Sequence, residues 1–107
     1  MRIGAMIGAD GTKSSIGEVI QIGREIEAAG LDHAWLANIF SYDAITALAL
    51  MGQETSRIRL GTAVTPTFPR HPTAIAQQAM TVAASSNNRF TLVIGLCHKV
   101  VIEDMLG

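Results

Sequence analysis

Some residues of the 107-residue chain are of types that carry chemistry, and their spacing decides which chemistry is available. Gly8-Ala9-Asp10-Gly11-Thr12-Lys13-Ser14 has the ingredients of a phosphate-cradling loop. A P-loop needs four residues between its glycines and a lysine directly after the second. Here only Ala9 and Asp10 intervene and Thr12 separates Gly11 from Lys13, so a phosphate-binding module on Gly8 to Ser14 is a third-rank reading. A G-x-G-x-x-G dinucleotide fingerprint is absent as well. Cys97 and His98 are nucleophile and base by type, but adjacent residues of a strand point to opposite faces. They face one way only if the strand has already bent at Gly95. His71 directly precedes Pro72 and serves a helix entrance, with an imidazole that can also face a ligand. Asp43 reads as an early-helix carboxylate favoured by the helix dipole, and Tyr42 as a packed ring. His33 reads as a solvated or hydrogen-bonded histidine. Asn38, polar after an apolar run, is either a turn former or a ligand contact. None of these residues is assigned a catalytic role, and no metal site is expected.

The elements that must position these residues follow from apolar patterning. Ile3 to Ile7 is a short apolar run before a Gly-rich turn, the mark of a buried strand. Ser15 stands three residues before Glu18, the capping-box spacing, and Ile16, Val19, Ile20, Gly23 and Ile26 share one helical face until Gly30 stops it. His33 to Ala37 is a second strand, with Trp35 assigned to the core, and Asp43 to Thr55 a second helix. Ile58 to Thr65 reads as a third strand. Pro66, Pro69 and Pro72 form a stiff loop, the last proline opening a helix that runs to about Ala84. Asn87-Asn88 can supply a left-handed cap before a fourth strand, Phe90 to Leu96, and Lys99 to Leu106 open a fourth helix. The five methionines are assigned to the core.

Strands alternating with helices imply right-handed crossovers, a parallel sheet and an α/β class. In such folds ligands bind at the carboxyl ends of the strands, so Gly8 to Lys13, Asn38 to Asp43, Thr65 to His71 and Gly95 to Lys99 are expected to share one rim. Length favours an open sheet over an eight-unit barrel, which takes about 250 residues.

Composition narrows the function further. Residues 1–107 make a single small domain. Apolar residues are 49% and charged residues only 16%, which argues against disorder and for a surface that seeks a partner. Eight basic and nine acidic residues, in no run of like charge, exclude attraction to nucleic acid or anionic lipid. Cys97 is the sole cysteine, so neither an internal disulfide nor a cysteine-based zinc site can form, which fits a reducing cytoplasm. Ile3 to Ile7 is too short for a signal peptide and no segment approaches 18 apolar residues, so no membrane association is expected.

Three stretches together resemble the luciferase-like monooxygenase superfamily: Trp35-Leu36-Ala37-Asn38-Ile39-Phe40-Ser41-Tyr42-Asp43-Ala44, Leu60 to Pro66 with Pro69-Arg70-His71-Pro72, and Arg89 to His98. The branch they are most similar to is that of the oxidoreductases using the deazaflavin coenzyme F420, which includes the methylenetetrahydromethanopterin reductases. The resemblance spans the chain but only four of the family's eight strands. It reverses the choice made on length: the expected fold is the N-terminal half of a TIM (β/α)8 barrel, four parallel strands with intervening helices. It also implies a ring over the carboxyl rim, backed by a bulge near Val64-Thr65 that in the family can contain a non-prolyl cis peptide. Asn38 would lie beside that ring, and Gly95, Leu96, Cys97 and His98 would border the ring or its phosphate-bearing tail. Coenzyme F420, with FMN as the alternative, and hydride transfer to a small organic substrate are what the family implies. The chain departs from the family pattern at Asn87, Asn88 and Val93, where glycines are usual, and at Cys97, where a smaller residue is usual. Phosphate sites of such barrels are often built from loops after strands seven and eight, so weak coenzyme binding is expected. The rival expectation is a non-catalytic half-barrel that self-associates as a homo-oligomer through its open sheet edges.

Overall fold

The computed structural model describes residues 1–8, 15–38 and 41–105, with the backbone alone at Met105. Its elements are β1 (Gly4–Ile7), α1 (Ile16–Ala28), β2 (His33–Leu36), α2 (Ala44–Gln53), β3 (Arg59–Thr62), β4 (Thr65–Pro66), α3 (Pro72–Ser85), β5 (Phe90–Thr91), β6 (Ile94–Gly95) and a π-helical turn, Val101–Met105. β1, β2, β3 and β5 form one parallel sheet in that order, and β4 pairs with β6, also in parallel. The α/β class and the strand order are those of the first four units of a β/α barrel.

Local chemistry explains the boundaries. Ser15 Oγ accepts the Glu18 N–H at 3.2 Å and caps α1. At the other end Gly30 takes φ 82° while the Leu31 and Gly30 N–H groups return to the carbonyls of Ile26 and Glu27, a Schellman ending that a Cβ at Gly30 would strain. Asn87 and Asn88 adopt φ 58° and 61°, the left-handed region that glycine favours and asparagine tolerates. Asparagine thus meets the backbone demand at positions where the resemblance implied glycine.

Register sorts the side chains onto two faces. Ala5, Ala34, Leu60 and Phe90 lie in one row, and Ile7, Leu36 and Thr62 in the next row on the same face. This face packs on Val19 and Ile26 of α1 and on Ala44, Ala47, Leu48 and Met51 of α2, making the core. The opposite face carries Met6, Trp35, Gly61 and Thr91 in one row, and no described helix covers it.

Trp35 therefore is not the core residue expected of it. Its ring lies half-buried along the uncovered face, stacked on His33 with ring centroids 5.3 Å apart. It crosses Gly61 so closely that a Cβ there would stand 2.2 Å from the ring. Nor are the methionines a core set: Met51 is buried, but Met1, Met6 and Met80 are exposed. A continuous apolar strand is buried on both faces only when both faces are covered.

Strands three and four are each interrupted. Backbone pairing between the third and fourth units stops after Gly61↔Thr91 and resumes at Thr65↔Ile94. The expected opening of a fourth helix forms the Val101–Met105 turn, entered by an Ile102 N–H to His98 carbonyl bond of 3.0 Å.

Candidate functional site

The carboxyl ends of the strands converge on a cavity of about 410 Å³. The segment after β2 contributes Ala37 and Asn38, the β3–β4 bend contributes Ala63, Val64 and Pro66 with Pro69 beyond, and the segment after β6 contributes Leu96, Cys97, His98 and the turn residue Val101. That volume lies within the roughly 300–1,000 Å³ of small-molecule sites, and an apolar lining with a few polar groups is their usual character.

The bend that shapes the cavity is built from the backbone. The Ala63–Val64 peptide is cis, one residue before the position the resemblance implied, and Val64 stands 40% exposed toward the cavity. Gly95 permits this: a Cβ there would come within 2.7 Å of Val64 Cγ2, so a side chain at 95 would push Val64 away. Thr62 repairs the interrupted pairing. Its hydroxyl donates to the Val93 carbonyl at 2.7 Å and accepts the Val93 N–H at 2.9 Å, while the Thr65 N–H reaches the same carbonyl at 2.9 Å.

Asn38, Val64, Leu96, Cys97 and His98 are thus brought together around one cavity. Gly95 lies behind Val64 rather than on the lining. Thr65 alternates away from Val64 and Pro66, is fully buried, and its Oγ1 has no partner among the described residues. Cys97 and His98 both reach the cavity because the chain has left strand geometry after Gly95. Ala37, Ala63, Pro66, Pro69 and Val101 were not anticipated on the lining, being small or apolar residues with no distinctive chemistry. The bend that turns them inward has no signature in apolar periodicity. Of the Gly8 to Ser14 loop only Gly8 is described, so the phosphate reading lies outside the described residues, as do Ile39 and Phe40 of the resembling stretch.

Two side chains lock the rim from outside. Asp43 caps α2, accepting the Thr46 N–H at 2.9 Å and the Thr46 hydroxyl at 2.6 Å, and forms an ion pair with Arg70, which also reaches Gln78. Burial opposes ionisation of Asp43, but the bonds from Thr46 and Arg70 and the guanidinium charge outweigh it, so its carboxyl stays below the ordinary carboxylate range. His71 accepts the Thr73 N–H through Nδ1 at 3.2 Å, the helix-entrance role expected of it. Neither residue lines the cavity.

Comparison with known proteins places this arrangement. A protein of Mycobacterium tuberculosis named as a coenzyme F420-dependent oxidoreductase is 40% identical over 81 residues, covering 76% of this chain and 23% of the relative. An F420-dependent glucose-6-phosphate dehydrogenase of Amycolatopsis mediterranei is 34% identical over 88 residues, 73% of this chain and 26% of its own. The chain thus spans about a quarter of the length of the curated relatives it matches. In fold it is similar to the coenzyme F420-dependent tetrahydromethanopterin reductase of Methanopyrus kandleri, with TM-score 0.85 and 24% identity over 97% of this chain and 29% of that one. It is also similar to the FMN-bound oxygenating constituent of 3,6-diketocamphane monooxygenase of Pseudomonas putida, with TM-score 0.88 and 16% identity over all of this chain and 32% of that one. The half-barrel and these relatives agree with a family model, luciferase-like monooxygenase, that matches residues 1–107: the chain belongs to that family.

Proposed function

We propose that the chain supplies one wall of a site for coenzyme F420, used for hydride transfer to or from a small organic substrate. The observation that carries this reading is the cavity at the rim, where the Ala63–Val64 bend, Asn38 and the segment Leu96 to His98 meet. A planar heteroaromatic group fits these residues: Val64 and Leu96 offer exposed apolar surface, Pro66 and Pro69 stiffen one border, and Asn38 and His98 place polar groups on the lining. The relatives named for F420 favour the deazaflavin over FMN. When bound, the coenzyme supplies the hydride chemistry. The chain's own residues hold and orient it, and the apolar lining excludes water from one side. A cytoplasmic location is part of this proposal, since with Cys97 as the single cysteine the fold calls for no internal disulfide.

Fluorescence titration of the full chain with F420 and with FMN tests the assignment. F420 is expected to bind the more tightly, and Leu96→Asp, which puts a charge on the apolar wall, to abolish binding. Preference for FMN, or binding unaffected by Leu96→Asp, would reject it.

A second reading, a non-catalytic half-barrel that covers itself by self-association, is favoured by one observation. β1 and β5 are the outermost strands of the sheet, and Met6 on its uncovered face is 65% exposed.

A further inference from the structure

The Trp35 ring lies along the bare face of the sheet, and the strands on both sides of it make room. A Cβ at Gly61 would stand 2.2 Å from the ring, and one at Gly4 would stand 2.9 Å from its Nε1. Glycines on β1 and β3 thus flank a large ring carried by β2. Alternation of large and small side chains is how the interior of a small barrel is filled, whereas a sheet face turned to water does not need it. The row that holds the ring, Met6, Trp35, Gly61 and Thr91, carries no charge. Arg59 belongs to the preceding row, with Gly4 and His33, at the amino end of the strands, where a long side chain reaches water.

We infer that this face is the interior of a barrel closed by a second copy of the chain, in which β5 of each copy lies parallel to β1 of the other about a two-fold axis along the strands. Four strands of the main sheet from each copy make eight, the number whose interior is just filled by side chains, and closure leaves neither edge open. The two junctions are identical, as a two-fold pair requires. The surface area agrees with this occupant. The chain exposes 6461 Å², about 700 Å² more than the ~5,800 Å² of a folded monomer of its mass, and a standard interface takes roughly 800 Å² from each partner. Because every strand runs the same way, the carboxyl rims of both copies open at one end of the closed barrel. The inference rests on the self-association reading above and gives it a geometry; it does not depend on the coenzyme.

Trp35 is the chain's one tryptophan, so its emission reports on this face alone. Sedimentation equilibrium of the full chain over a concentration series should show a mass that doubles once and then stays constant. Over the same series the Trp35 emission should move to shorter wavelength and its quenching by acrylamide should fall several-fold, both with the midpoint of the mass change. Thr91→Lys puts a charge on the same row at the β5 edge, outside the lining of the rim cavity, and should hold the chain at monomer mass with the ring open to acrylamide. A dimer whose Trp35 emission does not move, or a mass that climbs past two copies, would refute closure and leave self-association standing. A monomer at every concentration would refute both. A folded Thr91→Lys chain that dimerises like the wild type would also overturn closure, and if that chain does not fold the wild-type series decides alone.

Discussion

At Thr62 one hydroxyl does the work of a missing stretch of strand pairing. It is fully buried, and it satisfies both backbone groups of Val93 where β3 and β5 have parted and β4 and β6 have not yet met. The Val93 carbonyl keeps a second donor, the Thr65 N–H, but the Val93 N–H depends on Thr62. Thr62→Val preserves shape and removes the hydroxyl, so it should cost about 1 kcal/mol, the low end of the penalty for an orphaned donor, since the bond is part-buried. Urea denaturation measures that loss, and a midpoint within error of wild type would show that the bend holds without the hydroxyl. Since Val64 hangs from the same bend, F420 affinity should fall with it. Nothing in the sequence announces this role, because a threonine within an apolar run reads as an ordinary strand residue.

Among the elements, α2 is held at both ends by residues distant in sequence. Its last turn has no basic residue of its own, yet Arg89 donates to the carbonyls of Gly52 and Thr55 at 2.9 and 3.0 Å, and to Ile58 and Ser86 at 2.8 Å each. The guanidinium thereby meets the negative end of the helix and ties it to the entry of β5. Lysine has the charge without the planar fork, so Arg89→Lys should destabilise the chain by about 2–3 kcal/mol. Thermal unfolding of the two chains at neutral pH checks it, and equal melting temperatures would reduce Arg89 to a point charge. The turn before β3 depends on Glu27 in a similar way. Burial raises the pKa of this carboxylate, but the N–H groups of Ile58, Arg57 and Ser56 and the Arg57 charge more than offset it, so the value lies below the ordinary one. Asp43 is shifted in the same direction. Groups whose folded pKa is depressed bind fewer protons folded than unfolded. Their stabilisation is complete above the ordinary carboxylate value of about 4 and is lost as pH falls through the lower folded values. Stability should therefore drop below about pH 4, and Glu27→Gln should flatten that limb by lowering the plateau above it. A parallel fall in both chains would exclude Glu27 as a contributor. The sequence showed where elements begin, since caps such as Ser15 and stops such as Gly30 are local signals. It could not show the splitting of strands three and four or the reach of Arg89, because an apolar run looks the same across a bend and a cap from 34 and 37 residues away leaves no spacing to read.

For the whole molecule the decisive feature is a parallel sheet with helices on one face. All-parallel sheets occur almost only with both faces covered, yet here Met6 on the uncovered face is 65% exposed, and Leu96 at the rim is 93% exposed. The high apolar content of the sequence was legible as a search for a partner; which face would be bare was not, since strands without polar alternation do not distinguish one side from the other. Two open edges point the same way, β1 and β5 having unpaired backbone groups on their outer sides among the described residues. Parallel strands add to such an edge in register only if the incoming surface matches its twist, and a second copy of the same half-barrel does so by construction. The chain alone should therefore sediment as an oligomer at micromolar concentration. Met6→Lys places a charge on the bare face, on the edge strand β1 itself and outside the lining of the rim cavity, and should shift the chain toward monomer while its far-ultraviolet dichroism stays unchanged. A wild-type chain that is monomeric at those concentrations, or a Met6→Lys chain that associates as before, would mean that this face does not drive assembly.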